Sequence, residues 1–187
     1  MGEMLSEHFS VYEFEYSITA ITKGIKNTMN EAEKKVAKHT CVYLLENIRK
    51  QLNEKYTKKD NTVKCVILNI TSGFRNDAVN TAVGGVNKPG KVSQHRKAEA
   101  ADIKAVIVYK NGARKTIPYN QLYNDIKELT KAKKLYIDQC IQEASYNKRT
   151  QTWSYWVHCS LGQQISKRRG EFLKFNNGVY TLDCIIK

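Results

Sequence analysis

The feature that most restricts what this chain can fold into is a dispersed trio of polar side chains. His95 and Asp102 sit close together in Ser-Gln-His-Arg-Lys-Ala-Glu-Ala-Ala-Asp, and His158 follows far downstream in Trp-Val-His-Cys-Ser. Two imidazoles and a carboxylate can fill three corners of a tetrahedral zinc and leave the fourth open, as in a catalytic rather than a structural site. For the three to act together, a loop exit and two separate strands must converge on one point. The spacing alone does not decide this, because a lone histidine is more often a core or surface residue than a ligand. His8 and His39 lie in N-terminal and helical context with no partner pattern and are set aside.

The pattern around the trio supplies elements able to bring it together. Ala32, Val36, Val42, Leu45 and Ile48 recur at helical spacing, predicting an amphipathic helix over Asn30 to Leu52 that is capped near Asn30. A polar loop over Lys58 to Asn61 precedes a strand over Thr62 to Thr71, which delivers Ser72-Gly-Phe-Arg75 to its end. Gly84-Gly85 and Pro89-Gly90 argue for an irregular loop from Asn76 to Val92. Ala100 to Tyr109 reads as a second strand, turned at Asn111-Gly112 into a hairpin partner that ends near Ile117. A second helix is expected over Tyr119 to Ala132 and a strand over Leu135 to Gln142. Trp153 to Leu161 reads as the central strand, with Trp156, His158 and Ser160 on one face and Val157, Cys159 and Leu161 on the other. A last hairpin turns at Asn177-Gly178.

Composition narrows the partners. The 187 residues suit one domain over 1–187, mainly helical over 1–60 and carrying a metal-binding sheet core over 61–187. The net charge of +13 implies a surface that gathers anionic partners, among them anionic cell-wall polymers. Lys131 to Lys134 and Lys167-Arg-Arg169 read as solvated charge, since no nucleic-acid module accompanies them. Gly85 to Lys91 imitates a phosphate-binding loop, but Val92 stands where a magnesium-binding Ser or Thr is needed. Five cysteines without a Cys-x-x-Cys pair read as reduced, buried small hydrophobes. Neither a signal-peptide core nor a membrane-spanning run is present, so synthesis in the cytoplasm without membrane insertion is expected.

Five blocks in order, Ser72-Gly-Phe-Arg75, Ala82-Val-Gly-Gly85, Ser93-Gln-His95, Glu99-Ala-Ala-Asp102 and Trp156-Val-His-Cys-Ser160, resemble the zinc D-Ala-D-Ala carboxypeptidase superfamily. The likeness is to its phage and bacterial peptidoglycan peptidases, which share a metal core with the hedgehog signalling domain. It extends to the opening Leu5-Ser-Glu-His-Phe-Ser10 and Glu13-Phe14. The resemblance implies one zinc per chain held by His95, Asp102 and His158, with Arg75 gripping a substrate carboxylate or polarised carbonyl through its bidentate fork. Asp138-Gln-Cys-Ile-Gln-Glu143 matches the segment that carries the family's general base, which makes Glu143 the candidate and Asp138 its fallback. Two departures stand out: Ala98 where the family has Gly, and a longer connection from Ala144 to Tyr155. The implied fold is α+β, a small antiparallel sheet with helices to one side and a zinc cleft on the sheet. The implied activity is hydrolysis of peptidoglycan stem peptides, on the cell wall after release or as part of a phage particle. A non-catalytic zinc-binding recognition or virion-structural module of the same fold is the alternative.

Overall fold

The computed structural model describes residues 2–88, 91–176 and 178–187. The N-terminal part is helical, with short helices α1 (Val11–Glu15) and α2 (Ile18–Lys23) followed by α3 (Glu31–Thr40). Asn30 caps α3 reciprocally with Glu33, and acidic residues in the first turn and basic ones in the last suit the helix dipole. The helix expected over Asn30 to Leu52 continues beyond that range. A π-helical turn over Cys41–Leu45 joins α3 to α4 (Glu46–Lys59), so the polar loop starts only at Asp60. Lys58 and Lys59 are the cationic last turn of α4 rather than loop residues.

The rest builds a seven-stranded sheet. Its strands are β1 (Val63–Ser72), β4 (Ala100–Tyr109), β5 (Arg114–Thr116), β6 (Gln139–Asn147), β7 (Thr152–Ser160), β8 (Glu171–Asn176) and β9 (Val179–Ile185). Their order is β1-β4-β7-β6-β8-β9, with β5 alongside the far half of β4; every pairing is antiparallel except β6 with β8. Helix α6 (Tyr119–Lys131) follows β5. A minor pair, β2 (Asn87–Lys88) with β3 (Lys91–Val92), lies apart from the main sheet.

Two expectations are corrected. The segment from Asn76 to Val92 is not irregular throughout: Asn76 caps a helix α5 (Asp77–Ala82), its side chain accepting from the Val79 amide. Pro89-Gly90, which argued for a loop, and with it part of the phosphate-loop imitation, lies outside the described residues, as does Asn177 of the last hairpin. The strand expected over Leu135 to Gln142 starts at Gln139 and runs on to Asn147, so the long connection after Glu143 is β-hairpin rather than loop.

The two faces of the sheet have different tasks. Alternation sends Val66, Leu68, Ile103, Ala105, Val157, Cys159, Cys140 and Phe172 to the side on which α4 and α6 pack, and all are buried. Lys55 and Tyr56 of α4 both bond Asp125 of α6, which fixes the helices beside each other. The five cysteines are free thiols, with Cys41, Cys140 and Cys159 buried in this layer. No helix among the described residues is long and apolar enough to cross a membrane. The opposite face of the sheet floors a cleft of about 1350 Å³.

Candidate metal centre and cleft

Strand register builds the centre. Ser72 of β1, Asp102 of β4, His158 of β7 and Ile141 of β6 are successive cross-strand partners, so their side chains form one row across the cleft face. His95 reaches the same point from a 3₁₀ turn over Gln94–Lys97. That turn ends at Ala98, whose φ of 55° and ψ of 23° place it in the left-handed region. The Gly expected there is therefore a backbone requirement, which this chain meets with Ala at a steric cost. Thr40 of α3 donates to the Ala98 carbonyl at 2.8 Å and anchors the turn.

His95, Asp102 and His158 are buried, and their donor atoms are mutually close. His95 Nε2 lies 3.1 Å from His158 Nδ1 and 3.3 Å from Asp102 Oδ1, and His158 Nδ1 lies 3.1 Å from Asp102 Oδ1. The His95 tautomer follows from its other nitrogen, since Nδ1 is 2.7 Å from the Gly73 carbonyl, which can only accept. Nε2 is then left with its lone pair toward the other two. Gly73 owes its identity to this corner: a Cβ there would stand 2.5 Å from the Phe14 carbonyl oxygen. Burial lowers the pKa of His95 despite the Asp102 charge beside it, favouring the neutral, ligating imidazole. Burial alone would raise Asp102, but the polar groups packed against it outweigh burial and hold the carboxyl far below its usual range.

This donor set suits zinc. Metal–ligand bonds of about 2.0–2.1 Å in a tetrahedron put ligand atoms roughly 3.3 Å apart, close to the three separations found. The carbonyl on His95 and the cation on Asp102 are the kind of outer partners that orient metal ligands. That cation is Arg75, whose Nη2 donates to Asp102 Oδ2 at 2.6 Å and whose Nε donates to Ser72 Oγ at 2.9 Å.

Glu143 and Asp138 have separate environments. Glu143 stands opposite Trp156, two pairs along from Ile141 and His158 and so on the same face, and lines the cleft beside His158. Burial and then the Asp102 charge raise its pKa, against the pull of His158 and Arg75. Asp138, just ahead of β6, accepts from the Arg169 amide at 2.8 Å and Nη2 at 2.6 Å and from Gln94 Nε2 at 2.8 Å. Burial opposes ionisation of Asp138, but these donors prevail and keep it below its ordinary value. Arg169 Nη2 also reaches Gln94 Oε1, so the network ties the residue before His95 to the start of β6.

The structure thus brings His95, Asp102, His158, Arg75 and Glu143 to one cleft and sets Asp138 in an ion pair at its edge. Sequence reasoning passed over Ser72 and Gly73 as partners of the trio, although both lie in the Ser72-Gly-Phe-Arg75 block. It also passed over Arg169, whose signal was hidden in a basic run, and Tyr180, for which no local signal exists. A comparison with family models matches residues 7–117 to the peptidase M15 family, a span that holds Arg75, His95 and Asp102. Searches of curated proteins and of solved structures give no significant match. With most of its length matched and a buried His-Asp-His group of metal-binding geometry, the chain belongs to the peptidase M15 family, a family of zinc-dependent peptidases.

Proposed function

We propose that this chain hydrolyses peptide bonds in peptidoglycan stem peptides, as a carboxypeptidase or endopeptidase, with one zinc held by His95 Nε2, Asp102 Oδ1 and His158 Nδ1. The observation that carries the reading is the convergence of this trio with Glu143 on one cleft face. When bound, zinc supplies Lewis acidity that polarises the scissile carbonyl and acidifies the attacking water. Glu143 takes a proton from that water as its oxygen bonds the carbonyl carbon, and gives it to the amine as the C–N bond breaks. Burial, which raises its pKa, makes the ionised carboxylate a stronger base for the first of these transfers. Activity should fall as pH drops and Glu143 becomes protonated, because only the ionised carboxylate accepts; burial raises the pH at which this happens and a bound zinc lowers it. Arg75 orients Asp102 through Nη2 and offers the rest of its fork to a substrate oxygen. Asp138, saturated by donors, holds the His95 turn in place. The protein would work as one unit on the cell wall, after release or as part of a phage particle.

The test is muropeptide cleavage by the zinc-loaded protein, with metal content measured beside it. Wild type should carry about one zinc per chain. His158→Ala should lose metal and activity together. Glu143→Gln should keep the metal and lose roughly two to four orders of magnitude in rate. A zinc-loaded wild type that cleaves no muropeptide would instead make this a non-catalytic module of the same fold.

A further inference from the structure

We propose that Tyr180, from the C-terminal hairpin, is a positioning residue for Glu143 and that Trp156 is its counterpart on β7. The inference rests on the reading of Glu143 as the base. Strand β8 runs parallel to β6, and β9 returns antiparallel to β8, which sets Tyr180 opposite Phe175 with ring centroids 4.5 Å apart. Both rings line the cleft beside Leu173. Tyr180 is 55% exposed, and its hydroxyl donates to Glu143 Oε1 at 3.4 Å. On the other side, the buried Trp156 indole N–H makes no hydrogen bond of good geometry, yet it stands directly across from Glu143 and near enough to favour the ionised carboxylate. A buried donor left unpaired is costly and calls for an acceptor within reach, and the Glu143 carboxylate is the nearest candidate by register.

Two neutral donors flanking one carboxylate have a definite chemical consequence. Burial favours protonated Glu143, and a protonated base accepts nothing. Donors aimed at the ionised form oppose this and hold Oε1, leaving Oε2 as the atom that exchanges the proton. The resting contact is longer than a strong charge-assisted bond, which runs at about 2.5–2.7 Å. Such contacts commonly tighten when substrate fills the cleft. The reciprocal effect appears on the phenol: burial and then the Glu143 charge push the Tyr180 pKa up to about 12, so it stays a donor throughout.

The experiment is Tyr180→Phe in the zinc-loaded full chain, since Phe keeps the ring against Phe175 and removes only the hydroxyl. Two readouts are taken, the ¹³C titration of the Glu143 carboxyl and the kinetics on muropeptides. The expected result is a higher Glu143 pKa, kcat lower by roughly 2- to 10-fold, KM within about twofold and unchanged zinc content. An unmoved Glu143 titration overturns the proposal, whether or not kcat falls; a fall alone would mean that the hydroxyl acts on substrate. If wild type cleaves no muropeptide, the peptidase reading fails separately. The titration then still decides whether Tyr180 acts on Glu143.

Discussion

Arg75 illustrates how one side chain in this cleft serves two partners. Its guanidinium spans Ser72 Oγ and Asp102 Oδ2, so removing it frees a buried carboxylate that is also a proposed metal ligand. Losing such an outer partner typically weakens metal binding by roughly 10- to 100-fold, and we expect that loss for Arg75→Ala in a chelator competition. Arg75→Lys should recover part of the zinc affinity but not the turnover, because one ammonium cannot hold Ser72, Asp102 and a substrate oxygen in a planar fork. Zinc affinity unchanged in Arg75→Ala would show that the ion pair does not orient Asp102. Ala98 makes the complementary point about backbone. Its left-handed conformation disfavours a side chain, while its buried methyl fills space, so the two effects of having Ala rather than Gly there oppose each other.

At the scale of elements, the cleft wall depends on how the C-terminal hairpin is fastened to the helical layer. Asp183 of β9 accepts from Lys127 at 2.8 Å and from Tyr123 at 2.9 Å, both on α6. The Lys127 bond, against a small effect of burial, pushes the Asp183 pKa down to about 2. A carboxylate depressed by folding adds stability that is full above its unfolded value near 4 and is lost as pH falls through about 2. Because the pair sits at the surface, screening limits the contribution to about 1 kcal/mol. Asp183→Asn should lower the urea-unfolding stability by that amount at pH 7, and the difference should vanish toward pH 2. A gap that persists at pH 2 would assign the effect to packing rather than charge. The β6–β7 hairpin is the second instructive element. Its extra length runs beyond Glu143 as paired strand, with Asn147 still opposite Thr152, so it lengthens the sheet without displacing Glu143 from Trp156 and His158.

For the molecule as a whole, a net charge of +13 predicts adsorption to walls that carry anionic polymers. Raising NaCl from about 0.05 M to about 0.5 M shortens the screening length to a few ångströms and should release most of the protein in a sedimentation assay. Retention that ignores salt would point to a specific contact instead. The sequence by itself determined the α+β class, the helices over α3–α4 and α6, the strands β1, β4 and β7, and the trio as a group worth testing. These were legible because capping, apolar periodicity and motif blocks act over a few neighbouring residues, and each block keeps its own local conformation. Helix α5 was missed because glycines flanking it outweighed one short capped turn. Only the tertiary structure decided the rest: the order β1-β4-β7-β6-β8-β9, the parallel step from β6 to β8, the register that sets Glu143 two pairs from His158 on the same face, the capture of Asp102 by Arg75, and the arrival of Tyr180 over the cleft. Register and strand order are set by which distant apolar side chains are buried together, and a slip of one residue would turn Glu143 and His158 to the helical face, so no local stretch of sequence carries that information.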